Sequence, residues 1–445
     1  MNARRGDAGT SSIPPAHRPR LPSSVRLSSV MSHAFPTTIG YAARIAFVAE
    51  LAERLHTYGT TAQRLEGAVV SVSQTLGLEC EPWVNPTGMI LAFSDPTTPP
   101  GDSDTTRVIR VPPGDTDLYK LCEADRIAED VMEGRMGLAE GHAALRALDR
   151  PPGWRGAWMR VLGFGLASAS VAGLLRLPWL DLATAGLIGL LVGAIEWYTP
   201  KRPRLREASD AVSAMLAATV AIVVASFVGP LNLNTVVIAS LIVLMPGMTL
   251  TNAVNELTSQ NLVSGTARFA GAVTTMLKLT VGVMIALTLA QLFAIAPQVR
   301  ALRPQPDWVE WIALLSASFA FAVLFRAHRR DYPVVMLAAA SGYLISRLVG
   351  EAWGSSVGIF LSALVLTAAG NGYARWMQRP GAVVRVPGII LLVPGSTSVR
   401  SLLNLIQQQD LAAGQEAALA VLNILLALIA GLLFGNLLLP TRRNL

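Results

Sequence analysis

Charged residues are scarce in this sequence. Asp, Glu, Lys and Arg make up 15% of the 445 residues, whereas a soluble globular domain contains about 25%. The deficit falls after residue 155, where apolar runs of about 20 residues recur, which is the length that an α-helix needs to cross a bilayer. Residues 36–150 have the mixed composition of a soluble domain. We therefore expect a soluble region followed by a membrane region.

Lysine and cysteine are also scarce. Lysine occurs only at positions 120, 201 and 278, and most arginines flank apolar runs. That distribution is typical of a membrane protein and differs from the basic face that binds nucleic acid. The net charge of +7 therefore indicates a lipid bilayer as partner and no nucleic acid. The two cysteines, Cys80 and Cys122, are too few for a disulfide framework.

Motifs of catalysis and of cofactor binding are absent as well. The sequence contains no phosphate-binding loop, no GxGxxG and no HExxH. His56 and His142 are isolated residues in helical patterns, and the aspartates between Asp102 and Asp117 flank turns. We therefore expect no enzymatic activity, no cofactor and no metal site.

The soluble region has a regular pattern of secondary structure. Residues 1–35 are rich in Arg, Ser and Pro and lack the apolar core of a signal peptide, so we expect them to be disordered, with Met31 as a candidate start. Residues 36–155 are predicted to form a cytoplasmic α+β domain. The apolar spacing predicts two strands and four helices, namely Thr87–Phe93, Thr105–Val111, 38–56, 60–76, 116–133 and 137–148.

Ten apolar segments after this domain are predicted to be transmembrane helices. They are 158–175, 180–198, 211–228, 233–249, 268–296, 308–325, 333–350, 355–374, 382–396 and 416–438. Basic residues cluster at alternate ends of these segments, as in Lys201–Arg206 and Arg326–Arg330. Because such loops stay in the cytoplasm, we predict a multi-pass protein of the bacterial inner membrane with a cytoplasmic amino-terminal domain and carboxyl terminus.

Two stretches of the membrane region resemble one another. Residues 241–265 and 389–414 each contain an apolar run, a Pro-Gly pair, a polar helical segment and Leu-x-x-Gly. Each stretch follows the fourth span of a five-span half, 156–300 or 301–445. Because five is odd, the second half enters the membrane from the opposite side. The pattern predicts two inverted five-helix repeats, an architecture of secondary transporters.

The Pro-Gly pairs are predicted to break the two spans, because proline removes a backbone donor and glycine weakens a helix. The helix after each break would offer a solute its N-terminus and a polar face, with Thr249, Ser396 and Thr397 available as caps. The predicted substrate-binding residues are Pro246, Gly247, Thr249, Asn252, Asn255, Glu256, Pro394, Gly395, Ser396, Thr397, Arg400 and Asn404. The charges of Glu256 and Arg400 would suit a zwitterion or a carboxylate. The alternative interpretation is a pair of interfacial loop helices, each with one solvated face.

Lys278 lies about ten residues inside the fifth predicted span. An ionisable group within a membrane span is costly and is a functional candidate by default. The alternative role is that of a structural partner for a carboxylate in the helix bundle.

The sequence resembles the threonine/serine exporter family. The residues that carry the resemblance are the two Pro-Gly segments and two soluble stretches, 246–268, 394–414, 58–78 and 117–145. The resemblance implies export of small amino acids driven by the proton motive force, with Glu256 and Lys278 as candidates for proton coupling. Export of C4-dicarboxylates such as succinate on the same scaffold stays open, as do a membrane sensor, a channel and homo-oligomerisation.

Overall fold

A computed structural model describes residues 40–99, 104–149, 153–299, 304–392 and 411–440. The segment 1–35 and the candidate start Met31 lie outside these residues. So do Pro394, Gly395, Ser396, Thr397, Arg400 and Asn404, the predicted site residues of the second Pro-Gly copy.

The amino-terminal part consists of four helices and a three-stranded sheet, in agreement with the predicted α+β class. Its elements in chain order are α1 (Tyr41–Thr57), α2 (Ala62–Thr75), β1 (Glu79–Asn85), β2 (Gly88–Ser94), β3 (Thr105–Ile109), α3 (Leu118–Met132) and α4 (Leu138–Ala147). Buried apolar residues of α1, such as Phe47 and Leu51, lie among α2, α3 and α4 and form the core.

The sheet is antiparallel with the order β1-β2-β3. Strand β1 was not predicted from the sequence. Its residues include Glu79, Glu81 and Pro82, which disfavour a strand. It forms nevertheless because it is an edge strand, where its inward residues Cys80 and Val84 are covered by the protein and the charged ones face outward.

Eight helices are long and apolar enough to cross a membrane among the residues that the structure describes. They are α5 (Trp154–Leu174), α6 (Trp179–Tyr198), α7 (Pro203–Phe227), α10 (Leu262–Leu292), α11 (Asp307–Leu324), α12 (Tyr332–Trp353), α13 (Ser355–Met377) and α15 (Leu411–Leu438). The chain is therefore a multi-pass, mainly helical membrane protein.

Two of the ten predicted spans, 233–249 and 382–396, are not among these eight. The first is divided into α8 (Leu233–Ser240) and α9 (Gly247–Thr258). The second is represented by α14 (Ala382–Ile390), after which the described residues end at 392. A helix of eight residues spans about 12 Å, which is less than half of the hydrocarbon thickness. The predicted span 233–249 thus falls on a pair of short helices, as its Pro-Gly break implies.

The same pair of helices packs closely in each half of the membrane region. Among the long helices between residues 156 and 300, the third and fourth, α7 and α10, meet where Gly282 lies against the backbone of Ala211. In the second half, the corresponding elements α13 and α15 meet where Gly431 lies against the backbone of Phe360. A side chain at either glycine would collide with the facing helix, so the absence of a Cβ sets the distance between the helices.

The amino-terminal part is attached to the membrane helices by polar contacts. Asp117 caps α3 through the backbone N–H of Lys120 and also accepts a hydrogen bond from Arg326, whose Nη1 lies 2.8 Å away. Next to this ion pair, the backbone N–H of Leu118 donates to the carbonyl oxygen of Phe325 at 2.9 Å. The start of α3 is therefore fixed to the end of α11.

Candidate functional site

The break between α8 and α9 is stabilised by a neighbouring helix. Helix α8 ends at Ser240 and α9 begins at Gly247, directly after Pro246. Carbonyl groups released by such a break need other donors inside a membrane protein. Ser168 on α5 supplies one of them, since its hydroxyl donates to the Ser240 carbonyl at 3.0 Å. Pro246 and Gly247 are both buried at this break.

The start of α9 differs from the prediction in one respect. Thr249 was predicted to cap the new helix, but the capping position is occupied by Pro246 and no side chain makes a capping hydrogen bond. The prediction fails because α9 begins at Gly247, so Thr249 is already inside the first turn and is half-buried.

Glu256 is fully buried and has three partners. One carboxylate oxygen accepts a hydrogen bond from the backbone N–H of Ala62 at 2.9 Å, and the other accepts from the hydroxyl of Ser264 at 2.7 Å. Arg268 Nε lies 3.0 Å from both oxygens. Because Ala62 is the first residue of α2, this carboxylate joins the broken membrane segment to the amino-terminal part.

Two further titratable groups lie near this carboxylate. Burial lowers the pKa of His56, whose Nε2 lies 3.1 Å from the Pro86 carbonyl oxygen, and the charge of Arg268 lowers it further. Burial raises the pKa of Glu66, and the negative charge of Glu256 acts in the same direction. Titratable side chains of three helices, α1, α2 and α10, thus interact electrostatically with the Glu256 carboxylate.

A cavity of about 240 Å³ lies beside α9. Its walls come from α1, α2, α3, α9, α14 and α15, so it is bounded by both the amino-terminal part and the membrane helices. The polar residues that line it here are Thr251, Asn252 and Asn255 of α9 and Ser259, the residue directly after this helix. Asn436 of α15 adds a further amide, and a hydrogen bond from Asn371 at 2.9 Å fixes the Asn436 side-chain oxygen.

Three charged residues line the cavity within the described part of the chain, Arg64, Asp125 and Arg385. Arg64 is the third residue of α2 and Arg385 belongs to α14, and both side chains are half-buried. Burial lowers the pKa of the Arg64 guanidinium, while the charge of Asp125 acts in the opposite direction. The structure shows neither a hydrogen bond nor an ion pair within 4 Å between either arginine side chain and a described residue.

The cavity contains part of the predicted site. Asn252 and Asn255 face it, whereas Thr249 and Glu256 lie outside its lining. The predicted polar face of α9 is therefore divided, because the Glu256 side chain points away from the cavity towards Arg268.

Sequence reasoning did not identify Arg64 and Arg385. Arg385 gave a usable signal, since it is an ionisable residue within the predicted span 382–396. Arg64 gave none, because an arginine on a helix of a soluble domain is ordinary.

Lys278 on α10 lies close to a carboxylate. Its Nζ is 3.7 Å from a carboxylate oxygen of Asp210 on α7, and both side chains are partly exposed. The structure therefore gives Lys278 the acidic neighbour that the alternative role assumed. Glu256 pairs with Arg268, so the two residues belong to separate ion pairs.

Comparison with protein families accounts for most of the chain. A model of the threonine/serine exporter family matches residues 46–290. A second model, described as "Threonine/Serine exporter, ThrE", matches residues 310–438. The chain belongs to the threonine/serine exporter family. The matches confirm the resemblance found in the sequence, and they place both the cavity-lining residues of α2 and those of α9 within the first threonine/serine exporter model.

Two curated relatives of this exporter family member are yeast proteins. The chain is 25% identical over 385 residues to pheromone-regulated membrane protein 10 of Zygosaccharomyces rouxii, covering 82% of this chain and 38% of that protein. It is 23% identical over 391 residues to an uncharacterized protein of Schizosaccharomyces pombe, covering 85% and 50%. The chain thus spans half or less of the length of these two relatives. No solved structure is significantly similar to it.

Proposed function

We propose that this protein is a secondary transporter that exports small amino acids of the threonine/serine class, driven by the proton motive force, and has no enzymatic activity. The substrate binds in the cavity beside α9. The observation that carries this proposal is that Asn252 and Asn255 of the Pro-Gly-broken segment face a polar cavity closed by a second short helix, α14. Broken helices at matching places in two halves are where secondary transporters bind substrate.

The predicted binding residues have different roles in this proposal. Asn252 and Asn255 supply amide groups for the hydroxyl and ammonium groups of the substrate. Pro246 and Gly247 create the break that leaves these amides accessible. The second copy, including Arg400 and Asn404, is proposed to complete the site.

Glu256 and Lys278 are proposed to carry the proton coupling. Each is an ionisable side chain of the membrane region in an ion pair, Glu256 with Arg268 and Lys278 with Asp210. Protonation of either carboxylate would weaken its pair, so the protonation state can bias which conformation the helices adopt.

We further propose the predicted topology. The chain would have ten spans in two inverted repeats, 156–300 and 301–445, preceded by a cytoplasmic domain over 36–155. The close glycine contact between the third and fourth long helices of each half supports the repeat. The arginine distribution supports a cytoplasmic amino-terminal domain and carboxyl terminus in a bacterial inner membrane, although the relatives named above are yeast proteins. Homo-oligomerisation stays an open proposal.

A second candidate function is export of C4-dicarboxylates such as succinate. The presence of both Arg64 and Arg385 at the cavity favours it, because two guanidinium groups match two carboxylates.

The test is efflux of threonine from dipeptide-loaded cells with and without an uncoupler. The wild-type protein should give efflux that the uncoupler abolishes, and Asn255→Ala should reduce its rate by tenfold or more. Thr258→Ala is the matched control, since Thr258 is exposed at the end of the same helix and does not line the cavity. Efflux no faster than in cells lacking the protein would reject the amino-acid assignment, and labelled succinate in the same assay tests the second candidate.

A further inference from the structure

We propose that Arg64 of the amino-terminal part and Arg385 of α14 form a paired binding site for the carboxylate of the transported solute. The amino-terminal part would then contribute directly to substrate binding. This inference rests on the proposed function, because it assigns chemistry to the same cavity.

The two arginines approach the cavity from different parts of the protein. Arg64 belongs to the first turn of α2, and Arg385 belongs to the short helix α14. Both line the cavity, and they are close enough to act on one another electrostatically. Two positive side chains therefore converge on one space although the residues are 321 positions apart in the sequence.

The helix backbone that carries each arginine is fixed by contacts with neighbouring elements. The first residue of α2 is fixed by the hydrogen bond from Ala62 to Glu256, so the position of Arg64 depends on the broken helix α9. Helix α14 is fixed by close backbone contacts with its neighbours, at Gly381 against Gly370 and at Gly388 against Gly342. The backbones that carry the two side chains are thus set by packing before a solute binds, which lowers the cost of ordering on binding.

The charge balance of the cavity points to an anionic group. Two arginines and one aspartate line it within the described residues, which leaves one excess positive charge. Half-buried guanidinium groups that lack a close partner cost free energy unless a ligand supplies one. Arginine presents a planar fork of N–H donors that matches a carboxylate, and it keeps its charge at any physiological pH.

The same arrangement accommodates both candidate substrates. An amino acid would place its carboxylate between the arginines and its ammonium group towards Asp125 and the asparagine amides. A dicarboxylate would give one carboxylate to each arginine. The shared chemistry is a carboxylate, and the two solutes are separated by experiment.

The experiment is counterflow in proteoliposomes containing the full-length protein, with L-threonine, L-threoninol and succinate as competing solutes. Threoninol keeps the hydroxyl and ammonium groups of threonine and lacks the carboxylate. The variants are Arg64→Gln, Arg385→Gln and the conservative Arg64→Lys, with Arg107→Gln as control. Arg107 is exposed on β3 of the same amino-terminal part and does not line the cavity.

The expected result is that threoninol fails to compete and that Arg64→Gln raises the KM for the carboxylate substrate by tenfold or more. Arg64→Lys should restore part of that loss, because it keeps the charge and loses the fork, and Arg107→Gln should behave as wild type. The temperature of thermal unfolding without solute should be unchanged or raised in Arg64→Gln, since the substitution removes a charge that has no ion-pair partner within 4 Å among the described residues. If the wild-type protein transports only threonine or only succinate, that result identifies the solute whose carboxylate the arginine pair binds.

Two results have different meanings. If the wild-type protein transports neither threonine nor succinate, the proposed function fails. If it transports one of them and Arg64→Gln keeps the wild-type KM, or threoninol competes as well as threonine, the proposed function stands and the arginine pair is overturned.

Discussion

The Glu256 carboxylate of the broken membrane helix α9 accepts a hydrogen bond from the backbone N–H of Ala62 at 2.9 Å. It therefore caps α2, a helix of the amino-terminal part, because an acidic oxygen at a helix N-terminus satisfies a free N–H and interacts favourably with the helix dipole. The same carboxylate pairs with Arg268. Movement of α9 and movement of α2 are thus linked through one side chain.

Glu256→Ala should loosen the start of α2 more than Glu256→Gln does. Alanine removes the cap and leaves Arg268 buried without its partner, which costs about 3–5 kcal/mol for a buried pair. Glutamine keeps one acceptor oxygen for the Ala62 N–H, although it loses the charge and the second acceptor oxygen, which accepts from Ser264. Hydrogen exchange of the first turn of α2 measures the effect, and Thr258→Ala serves as control. Equal protection of these amides in Glu256→Ala and wild type would contradict the cap.

The ion pair between Asp117 and Arg326 should contribute to the attachment of the amino-terminal part. A double-mutant cycle with Asp117→Asn and Arg326→Gln should give a coupling energy of about 0.5–1.5 kcal/mol, in the lower part of the range for residues in contact. The low value is expected because one third of the Arg326 side chain is exposed and water screens its charge. Thermal unfolding in detergent measures the cycle, and additive single effects would show that the pair does not stabilise the contact.

Glycine contacts between membrane helices give a prediction with an internal control. Gly282→Ala and Gly431→Ala should each destabilise the protein by about 1–3 kcal/mol, because the new Cβ would collide with the backbone of the facing helix. Gly271→Ala, on the same helix as Gly282, has open space around its Cβ position. It should be neutral or stabilising by up to about 1 kcal/mol, since alanine favours a helix. Equal destabilisation at Gly271 and Gly282 would refute the close packing.

His56 should make the stability of the amino-terminal part depend on pH. Its pKa is lowered by burial in the folded state, and its value in an unfolded chain is about 6.5. Below that pH the unfolded state binds a proton that the folded state does not, so the free energy of unfolding falls as the pH falls. His56→Gln should remove this contribution. The measurement is the unfolding temperature of both proteins at pH 7 and at several lower pH values. The difference between the two unfolding temperatures should become smaller as the pH falls. A difference that stays constant with pH would contradict the prediction.

The sequence predicted those features that depend on local pattern. The long apolar runs identified the eight long membrane helices, since hydrophobic length is a local property. Pro246 and Gly247 predicted the break that divides α8 from α9 for the same reason. Strand β1 was missed because its stability comes from pairing with β2 and outweighs the local preference of Pro82 and its charged neighbours.

The arrangement of the site depends on contacts between distant residues, so the sequence predicted only part of it. Asn252 and Asn255 were identified from the polar face of α9. The contact of Glu256 with Ala62 was not, because Ala62 lies 194 residues away and the contact is made by a backbone N–H. Arg64 could not be singled out for the same reason, since only the docking of α2 against α9 brings it to the cavity.

Protection of a cysteine in the cavity tests the central claim most directly. The two native thiols give little background, because burial raises the pKa of Cys80 to about 11 and that of Cys122 to about 12 and only thiolates react readily. Ser259→Cys places a thiol on the cavity wall, and Thr258→Cys places one on the adjacent exposed position. Labelling by a maleimide is then measured with and without threonine or succinate.

The account predicts that the transported solute slows labelling of Ser259→Cys and leaves labelling of Thr258→Cys unchanged. Unchanged labelling of Ser259→Cys at a saturating concentration of a solute that the variant still transports would contradict the assignment of this cavity as the substrate site.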